Sequence, residues 1–483
     1  MPANFDHATD YQHSVQTICR LAFEAVQDRS PAAQTLLEFA AFLSAESNCL
    51  PALLLLASRP DGPLATHFGG VQDAALLTAN LLGLIGTLQK YSLLNVDHDR
   101  ATVRVHRVVQ LAARDAMSLE DRHARLVSWS TALGFFLSGK NNSDNWGFIE
   151  WWVDHARSVA ESLLSEGVED AAAAEFLQRL SSYVEKRAHY QEGLRFAARA
   201  ASIRESNLLT SGPEGSRAYA ESLVNLGIAH LRCNENNEAV AALNKAIDIL
   251  KRKHPEESSL LAAAIGNLAT IYAESGELDK AEPLFSQLLG DTVLRSSAAP
   301  KVVAGALSGM AVISSKRRDY AAAVALADEA VMIHESDTDP DTFELATMYN
   351  NLGAILAKDG QPDEAQAKYE RARELYLAIL PQTHPLIANL ENNLGYLFYR
   401  RGLYEAALPL IFNSIPKLAK ALGWENPHTR QAAQNYHDCV EELRKRNIVV
   451  LFRKDIESGE FKKHVDDNTV GIIIISPIPE RAS

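Results

Sequence analysis

The spacing of apolar residues indicates helices over most of the chain, and the same spacing returns at a fixed interval. Strings such as VNLG, GNLA and NNLG place an asparagine before leucine at intervals of 42, 84 and 42 residues. Gly309 occupies the position in the middle of the long interval. The asparagines of the series and of one further step are Asn225, Asn267, Asn351, Asn393 and Asn435. An internal repeat of this period predicts stacked helical units, that is, a solenoid.

Each repeat contains the pattern of two antiparallel helices joined by a turn. Nine residues after the asparagine position comes a turn residue, which is glycine or asparagine except at Arg318. The five turn positions are Asn234, Gly276, Arg318, Gly360 and Gly402. Alanine stands fourteen residues after the asparagine position in every copy: Ala239, Ala281, Ala323, Ala365 and Ala407. A glycine suits a left-handed cap at a helix end, and alanine permits two helices to cross closely.

The Leu-Gly pair followed by alanine at this spacing resembles the tetratricopeptide repeat (TPR). The 42-residue period, with THP at 383–385 and ENPHT at 425–429 before the next helix, is more similar to the longer repeat of kinesin light chain. The resemblance covers 179–446 and implies an all-α, right-handed solenoid of about six antiparallel helix pairs with degenerate ends. It also implies that the first helix of each pair lines a concave surface that binds a protein or peptide.

Residues 14–118 have a different pattern, of three helices and a short β-hairpin. One of the helices is predicted at 73–90, and the strings SLLNV and TVRVH flank the polar turn DHDR. This pattern predicts a winged-helix domain, and its residues resemble the winged-helix segment of STAND (NB-ARC-like) signalling NTPases. In that family a histidine contacts the bound nucleotide, and His106 occupies this position with Arg107 in place of the usual aspartate. Because the sequence lacks a phosphate-binding G-x-x-x-x-G-K-[ST] loop, we expect His106 instead to be a partly buried histidine at a strand end.

The remaining segments are assigned from their composition. Residues 1–13 are polar and are predicted to form a flexible N-terminus, and 119–178 is predicted to be a helical connector. The tail 447–483 contains IVVLFRK and VGIIIIS, which predict two short strands that are either paired in a hairpin or prone to aggregate.

Composition and charge narrow the possible function classes. The 483 residues carry a formal net charge of −14, which disfavours nucleic-acid and anionic-membrane partners. Lys90 is the single basic residue of the helix at 73–90, so DNA recognition by the winged helix is not expected. The four cysteines are widely spaced, which suits a reduced, cytoplasmic protein. The sequence shows no catalytic, metal-binding or cofactor-binding motif, so we expect a protein that is not an enzyme and holds no cofactor or metal, and the oligomeric state stays open.

Two functional hypotheses follow from these observations. The first is a non-enzymatic scaffold that binds an extended, acidic or carboxylate-terminated peptide on the concave TPR surface. The second is the sensor half of a STAND-type switch whose ATPase domain is missing or lies on another chain, with the present chain a truncated or split member of that family.

The predicted peptide site follows from the repeat and from the resemblance. The asparagine ladder offers amides that can bind a peptide backbone. Seven residues further along, the same face carries Arg232, Glu274, Lys316, Lys358, Arg400 and Glu442, although basic residues also suit the last turn of any helix. The richest part of the surface comprises Asn350, Asn351, Lys358, Asn389, Asn392, Asn393, Tyr396, Tyr399 and Arg400. Tyrosines supply contact area, and Arg400 can pair with a carboxylate.

Overall fold

A computed structural model describes residues 7–59, 73–97, 99–138, 146–209, 212–337, 340–452 and 471–475. These residues form 21 α-helices and four short strands, so the fold is all-α apart from two small β-elements. The chain divides into two compact units. The first comprises residues 1–141, 145–185 and 190–229, and the second comprises 142–144, 186–189 and 230–483. Among the described helices, none combines the length and the apolar character that crossing a membrane requires.

The first unit begins with five helices. They are α1 (His7–Arg29), α2 (Pro31–Ala40), α3 (Leu50–Ser58), α4 (Ala74–Lys90) and α5 (Arg107–Ala116). The predicted flexible N-terminus at 1–13 is wrong for residues 7–13, which belong to α1. Helix α1 is anchored further along by the buried side chains of Cys19, Phe23 and Val26. Tertiary packing of this kind stabilises a helix whose polar start has little helical preference of its own.

The predicted hairpin is present between α4 and α5. Strands β1 (Asn95–Asp97) and β2 (Thr102–Arg104) pair antiparallel. The Asp97 carboxylate accepts the backbone N–H groups of Asp99 and Arg100, both at 3.1 Å, which closes the turn. The helix predicted at 73–90 corresponds to α4, and the assignment of this region to the winged-helix class stays a prediction.

Four further helices follow, and a fifth crosses the border between the two units. They are α6 (Leu119–Ser138), α7 (Trp146–Glu166), α8 (Ala171–Lys186), α9 (Tyr190–Ser206) and α10 (Gly212–Arg232). Helix α8 begins at Ala171, ahead of the predicted start of the repeats at 179. Arg204 of α9 is 8% exposed and donates to Gln178 Oε1 at 2.7 Å and to Ser222 Oγ at 2.8 Å. These bonds satisfy a buried guanidinium and join α8, α9 and α10.

The second unit is a series of helix pairs. Its helices are α11 (Asn236–Lys253), α12 (Ser258–Glu274), α13 (Leu278–Gly290), α14 (Thr292–Ser297), α15 (Pro300–Lys316), α16 (Tyr320–Glu335), α17 (Thr342–Asp359), α18 (Pro362–Ile379), α19 (Pro385–Arg400), α20 (Tyr404–Leu422) and α21 (Pro427–Lys445). The pairs are α12–α13, α15–α16, α17–α18 and α19–α20, and α14 is a short insertion after the first of them. We call the first helix of each pair the A helix and the second the B helix. By the repeat spacing, α10, which precedes α11, is also an A helix, and α21 is the last one.

The turn after each A helix from α10 to α19 is left-handed. Its φ angle is +64° at Asn234, +82° at Gly276, +67° at Arg318, +84° at Gly360 and +75° at Gly402. The N–H of the next residue bonds to a carbonyl five residues earlier, as from Gln361 to Leu356 at 3.0 Å and from Asp319 to Ser314 at 3.0 Å. This bond closes the A helix in the manner of a Schellman motif. The predicted left-handed cap is confirmed, and it includes Arg318.

The seam between A and B helices is as close as the small residues predict. The alanines fourteen residues after the asparagine position are 0% exposed in all five copies. A Cβ added to Gly353 would lie 2.8 Å from Tyr369 Cδ1, and one added to Gly395 would lie 2.6 Å from Ile411 Cγ1. The glycine of the Leu-Gly pair is therefore required because the B-helix side chain occupies the space of a Cβ.

Two short strands follow α21, as predicted. Strands β3 (Ile448–Phe452) and β4 (Gly471–Ile475) pair in parallel, so the predicted hairpin is wrong. Parallel strands run in the same direction and need a longer connection than a hairpin turn. The side chains of Ile448, Val450 and Ile473 pack against the apolar cluster of α20 and α21. The two strands thereby cover the last helices of the series.

Candidate functional site

The last three A helices, α17, α19 and α21, are joined by bonds between asparagine side chains. Nδ2–H of Asn393 donates to Oδ1 of Asn350 at 3.1 Å. In the next copy, Nδ2–H of Asn435 donates to Oδ1 of Asn392 at 3.0 Å. Because the same bond recurs at the same place in the repeat, it holds the three helices side by side in a fixed register.

Two of these asparagines are too deeply buried to meet a ligand. Asn392 is 3% exposed and Asn435 is 4% exposed, and Gln431 Nε2 also donates to Asn435 Oδ1 at 2.9 Å. Asn392 therefore serves the contact between helices, whereas the sequence had placed it on the ligand surface. Asn350, Asn351, Asn389 and Asn393 are half-buried.

The asparagine ladder is interrupted in the third copy. Gly309 of α15 occupies the asparagine position, and a Cβ there would lie 2.3 Å from Cζ of Phe285. Phe285 is fully buried in the core cluster of α12, α13 and α15, so its ring fills the space that an asparagine would need. Asn267 is half-buried in α12, and Asn225 is half-buried in the first unit. Within the described part of the chain, hydrogen bonds between asparagine side chains join only the last three A helices.

The basic residues at the ends of the A helices differ in what they contact. Lys316 Nζ donates to the carbonyl oxygen of Ala273 at 2.7 Å, so its ammonium caps the end of α12. Arg232 is exposed in the last turn of α10. Lys358 and Arg400 are exposed, and neither makes a hydrogen bond or an ion pair with the described residues. Lys358 and Arg400 are therefore the cations available to a ligand.

An aromatic surface lies on the same side of α19. The rings of Tyr396 and Tyr399 stack with centroids 5.9 Å apart, and Tyr399 meets Tyr404 edge-on at 5.6 Å. Tyr396 is 39% exposed, so its ring can contact a ligand. Burial raises the pKa of Tyr399, and the negative charges of Asp438 and Glu442 raise it further. Both carboxylates therefore act on this ring from α21.

The α21 side of the surface is acidic. Glu442 pairs with Lys445 at 2.6 Å, and Gln434 Nε2 donates to Asp438 Oδ1 at 2.7 Å. An exposed ion pair of this kind contributes little, so a ligand cation can compete for the carboxylate. The surface thus carries unpaired cations on α17 and α19 and the carboxylates of Asp438 and Glu442 on α21. We call it the A-helix face, formed by Asn351, Lys358, Asn393, Tyr396, Arg400 and Glu442.

His106 lies elsewhere and is not partly buried as predicted. It is exposed and caps α5, where its Nδ1 accepts the backbone N–H of Val108 at 3.3 Å. A side-chain acceptor at this position satisfies one of the N–H groups that a helix start leaves open. His384 does the same for α19, accepting the N–H of Leu386 at 3.2 Å. In the described chain, no group of three or more side chains is placed to hold a metal ion.

Sequence reasoning missed the bonds between asparagines. The available signal was the doubled asparagine at 350–351 and 392–393, because two adjacent amides on one helix can reach the helices on either side, as Asn392 and Asn393 do. Phe285 gave no such signal, since its contact with Gly309 joins α13 to α15, two helices that are not consecutive in the sequence.

Stacked helix pairs with a left-handed cap and a close A–B seam define an α-helical repeat protein. The family profile described as tetratricopeptide repeat matches residues 218–290, 302–377 and 344–411. This part of the chain therefore consists of tetratricopeptide repeats, and the fold is the all-α TPR fold.

Known proteins resemble the chain at low sequence identity. KINESIN LIGHT CHAIN-RELATED 1 of Arabidopsis thaliana is 24% identical over 196 residues, which make up 40% of this chain and 31% of that protein. The chain thus spans about a third of the length of this curated relative. The crystal structure of BtubC (BKLC) from P. vanneervenii has 20% identity and a TM-score of 0.34, covering 48% of this chain and 89% of that one. A Rap protein complexed with Competence and Sporulation Factor has 13% identity and a TM-score of 0.43, covering 70% and 91%.

Proposed function

We propose that this protein is a non-enzymatic scaffold that binds an extended peptide of a partner protein on the A-helix face of α17 and α19. The observation that supports this most is the pair of exposed cations, Lys358 and Arg400, at the ends of two neighbouring A helices and without partners in the described chain. A charge that stabilises a fold is normally paired with another group, so two neighbouring unpaired cations favour a ligand anion.

The ligand class follows from the chemistry of this face. Asn351 and Asn393 are half-buried amides, and an amide can donate to a peptide carbonyl and accept from a peptide N–H. Such contacts recognise the peptide backbone and do not require particular side chains in the peptide. The guanidinium of Arg400 can bind a carboxylate through two parallel bonds, and the ring of Tyr396 offers a rigid apolar surface. An acidic or carboxylate-terminated peptide matches these groups.

A peptide titration tests the proposal. Fluorescent peptides with glutamates or a free terminal carboxylate are titrated by anisotropy against the wild type and against Asn393→Ala/Arg400→Glu. We expect the double variant to bind at least about tenfold more weakly, because it loses an amide contact and reverses a charge. We also expect the affinity of the wild type to fall as salt rises.

Arg373→Glu is the matched control for this charge reversal. Arg373 is an exposed arginine of the B helix α18, away from the A-helix face, so its reversal changes the net charge equally. Unchanged affinity in Arg373→Glu with weakened binding in the double variant supports the site. Equal affinity of all three proteins would place the binding site elsewhere.

A further inference from the structure

The charged ends of the last three A helices lie at one level. The Asn350–Asn393 and Asn392–Asn435 bonds fix the register of α17, α19 and α21. Seven residues beyond the asparagine position, two turns further along, each helix carries a charged residue. These residues are Lys358 on α17, Arg400 on α19 and Glu442 on α21. The A-helix face therefore presents a row of charges in the order positive, positive, negative.

The negative end of this row is reinforced by a second acid. Asp438 stands four residues before Glu442, on the same side of α21, and the charges of both act on the Tyr399 ring. Lys445 and Gln434 are the groups that contact these carboxylates in the described chain. Both groups are exposed, so a ligand ammonium can displace Lys445 from Glu442 at small cost.

The distance between A helices sets the spacing of the ligand groups. Packed helices lie about 8–10 Å apart, and an extended peptide advances about 3.3–3.6 Å per residue. One helix-to-helix step therefore corresponds to about three residues of an extended peptide that crosses the A helices.

We propose that the A-helix face selects peptides with two acidic residues and one basic residue, each three residues from the next, in the order acid, acid, base. This inference rests on the proposed function, because it concerns the peptide bound there. The outer acid faces Lys358, the central acid faces Arg400, and the base faces Glu442. The central group is decisive, since a peptide bound in either chain direction still places it on the middle helix.

Two peptides of the same composition test the order of charges. Both have blocked termini and neutral alanine or serine at x. The matched peptide is Glu-x-x-Glu-x-x-Lys, and the mismatched peptide is Glu-x-x-Lys-x-x-Glu, whose central lysine meets Arg400 in either direction. Isothermal titration calorimetry with the full chain should give binding of the matched peptide at least about tenfold tighter.

Exchanging two charges of the protein should reverse this preference. In Arg400→Glu/Glu442→Arg the row becomes positive, negative, positive, which fits the mismatched peptide. Glu442→Arg alone is a second variant, for which Glu-x-x-Glu-x-x-Glu should bind more tightly than the matched peptide. Circular dichroism melts check that both variants are folded; Arg400 is exposed and Glu442 is half-buried.

The outcomes separate this inference from the proposed function. Preference for the matched peptide in the wild type, reversed in the double variant, supports the charge order. Equal binding of both peptides by a wild type that still responds to Asn393→Ala/Arg400→Glu would overturn the charge order and leave the peptide site standing. Failure of every peptide to bind would overturn both.

Discussion

Among single residues, Arg318 is the turn position where the chain departs from glycine or asparagine. Its φ of +67° is a left-handed conformation that costs a residue with a Cβ about 1 kcal/mol. We predict that Arg318→Gly raises the free energy of unfolding by roughly 0.5–1 kcal/mol, because relief of this strain exceeds the added entropy of the unfolded glycine. Urea titration followed by circular dichroism measures the change.

Gly360→Ala provides the opposite substitution at the equivalent turn of the next copy. Gly360 has a φ of +84°, so an added Cβ is strained there although the surrounding space is open. This variant should lose about 1 kcal/mol of unfolding free energy. If both variants changed stability in the same direction, backbone strain could not be the reason.

His384 is the second residue with a measurable consequence. It is 3% exposed, its Nδ1 accepts the N–H of Leu386, and its Nε2–H donates to the Lys186 carbonyl at 3.1 Å. Burial lowers the pKa of His384 from 6.5 to about 4, against the effect of the Lys186 bond and together with the charges of Arg187 and His189. Between about pH 4 and 6.5, the unfolded chain therefore binds a proton that the folded chain does not.

The stability that depends on neutral His384 is complete above its unfolded pKa and is lost as the pH falls toward its folded pKa. We predict that the wild type loses roughly 2 kcal/mol more than His384→Asn between pH 7 and pH 5, measured by urea unfolding. Asparagine suits this position because Asn426 caps α21 in the same place, with Oδ1 accepting the His428 N–H at 2.9 Å. Identical pH profiles for the two proteins would contradict a buried neutral histidine.

Between neighbouring helices, the seam of each pair leaves no space for a larger side chain. Ala365 of α18 is 0% exposed where the helix crosses α17. Ala365→Leu should overpack this seam and lower the free energy of unfolding by about 1–3 kcal/mol, as a thermal melt would show. Ala367→Leu is the control, because Ala367 is exposed on the same helix and the substitution adds the same atoms outside the seam. An unchanged melting temperature for Ala365→Leu would mean that the crossing lies elsewhere.

The helices, turns and seams could be predicted because they depend on local periodicity and on small residues at fixed offsets. The direction in which β3 and β4 pair could not be predicted, because the residues of Ile448–Phe452 favour a strand but do not determine which strand pairs with it or in which direction. At Gly309 the repeat pattern suggested only a missing asparagine, and the reason lies in the ring of Phe285 from another helix. His106 was assigned by its distance from a strand, whereas the helix that follows decides its role.

In the whole molecule, the border between compact units could not be predicted from composition. The sequence suggested a change at 178–179, where the repeat pattern begins, but the compact units divide within α10, at 229–230. Consecutive helix pairs have similar residues at equivalent positions, so the sequence does not change in character across this border. The A-helix face was predicted in part. Lys358, Arg400 and Tyr396 are exposed, whereas Asn392 is buried and hydrogen-bonds to Asn435 of a neighbouring helix.

In a stack of helix pairs, each pair contacts only the pairs next to it. Separating two adjacent pairs therefore costs only the free energy of the contact between them, here called a junction. The Asn350–Asn393 and Asn392–Asn435 bonds strengthen two successive junctions, whereas Gly309 has no side chain with which to bond across its own. Thermal fraying should therefore start before α17 and leave α17 to α21 intact for longest. The charged row would then persist as a preformed, cooperative block while the rest of the array fluctuates.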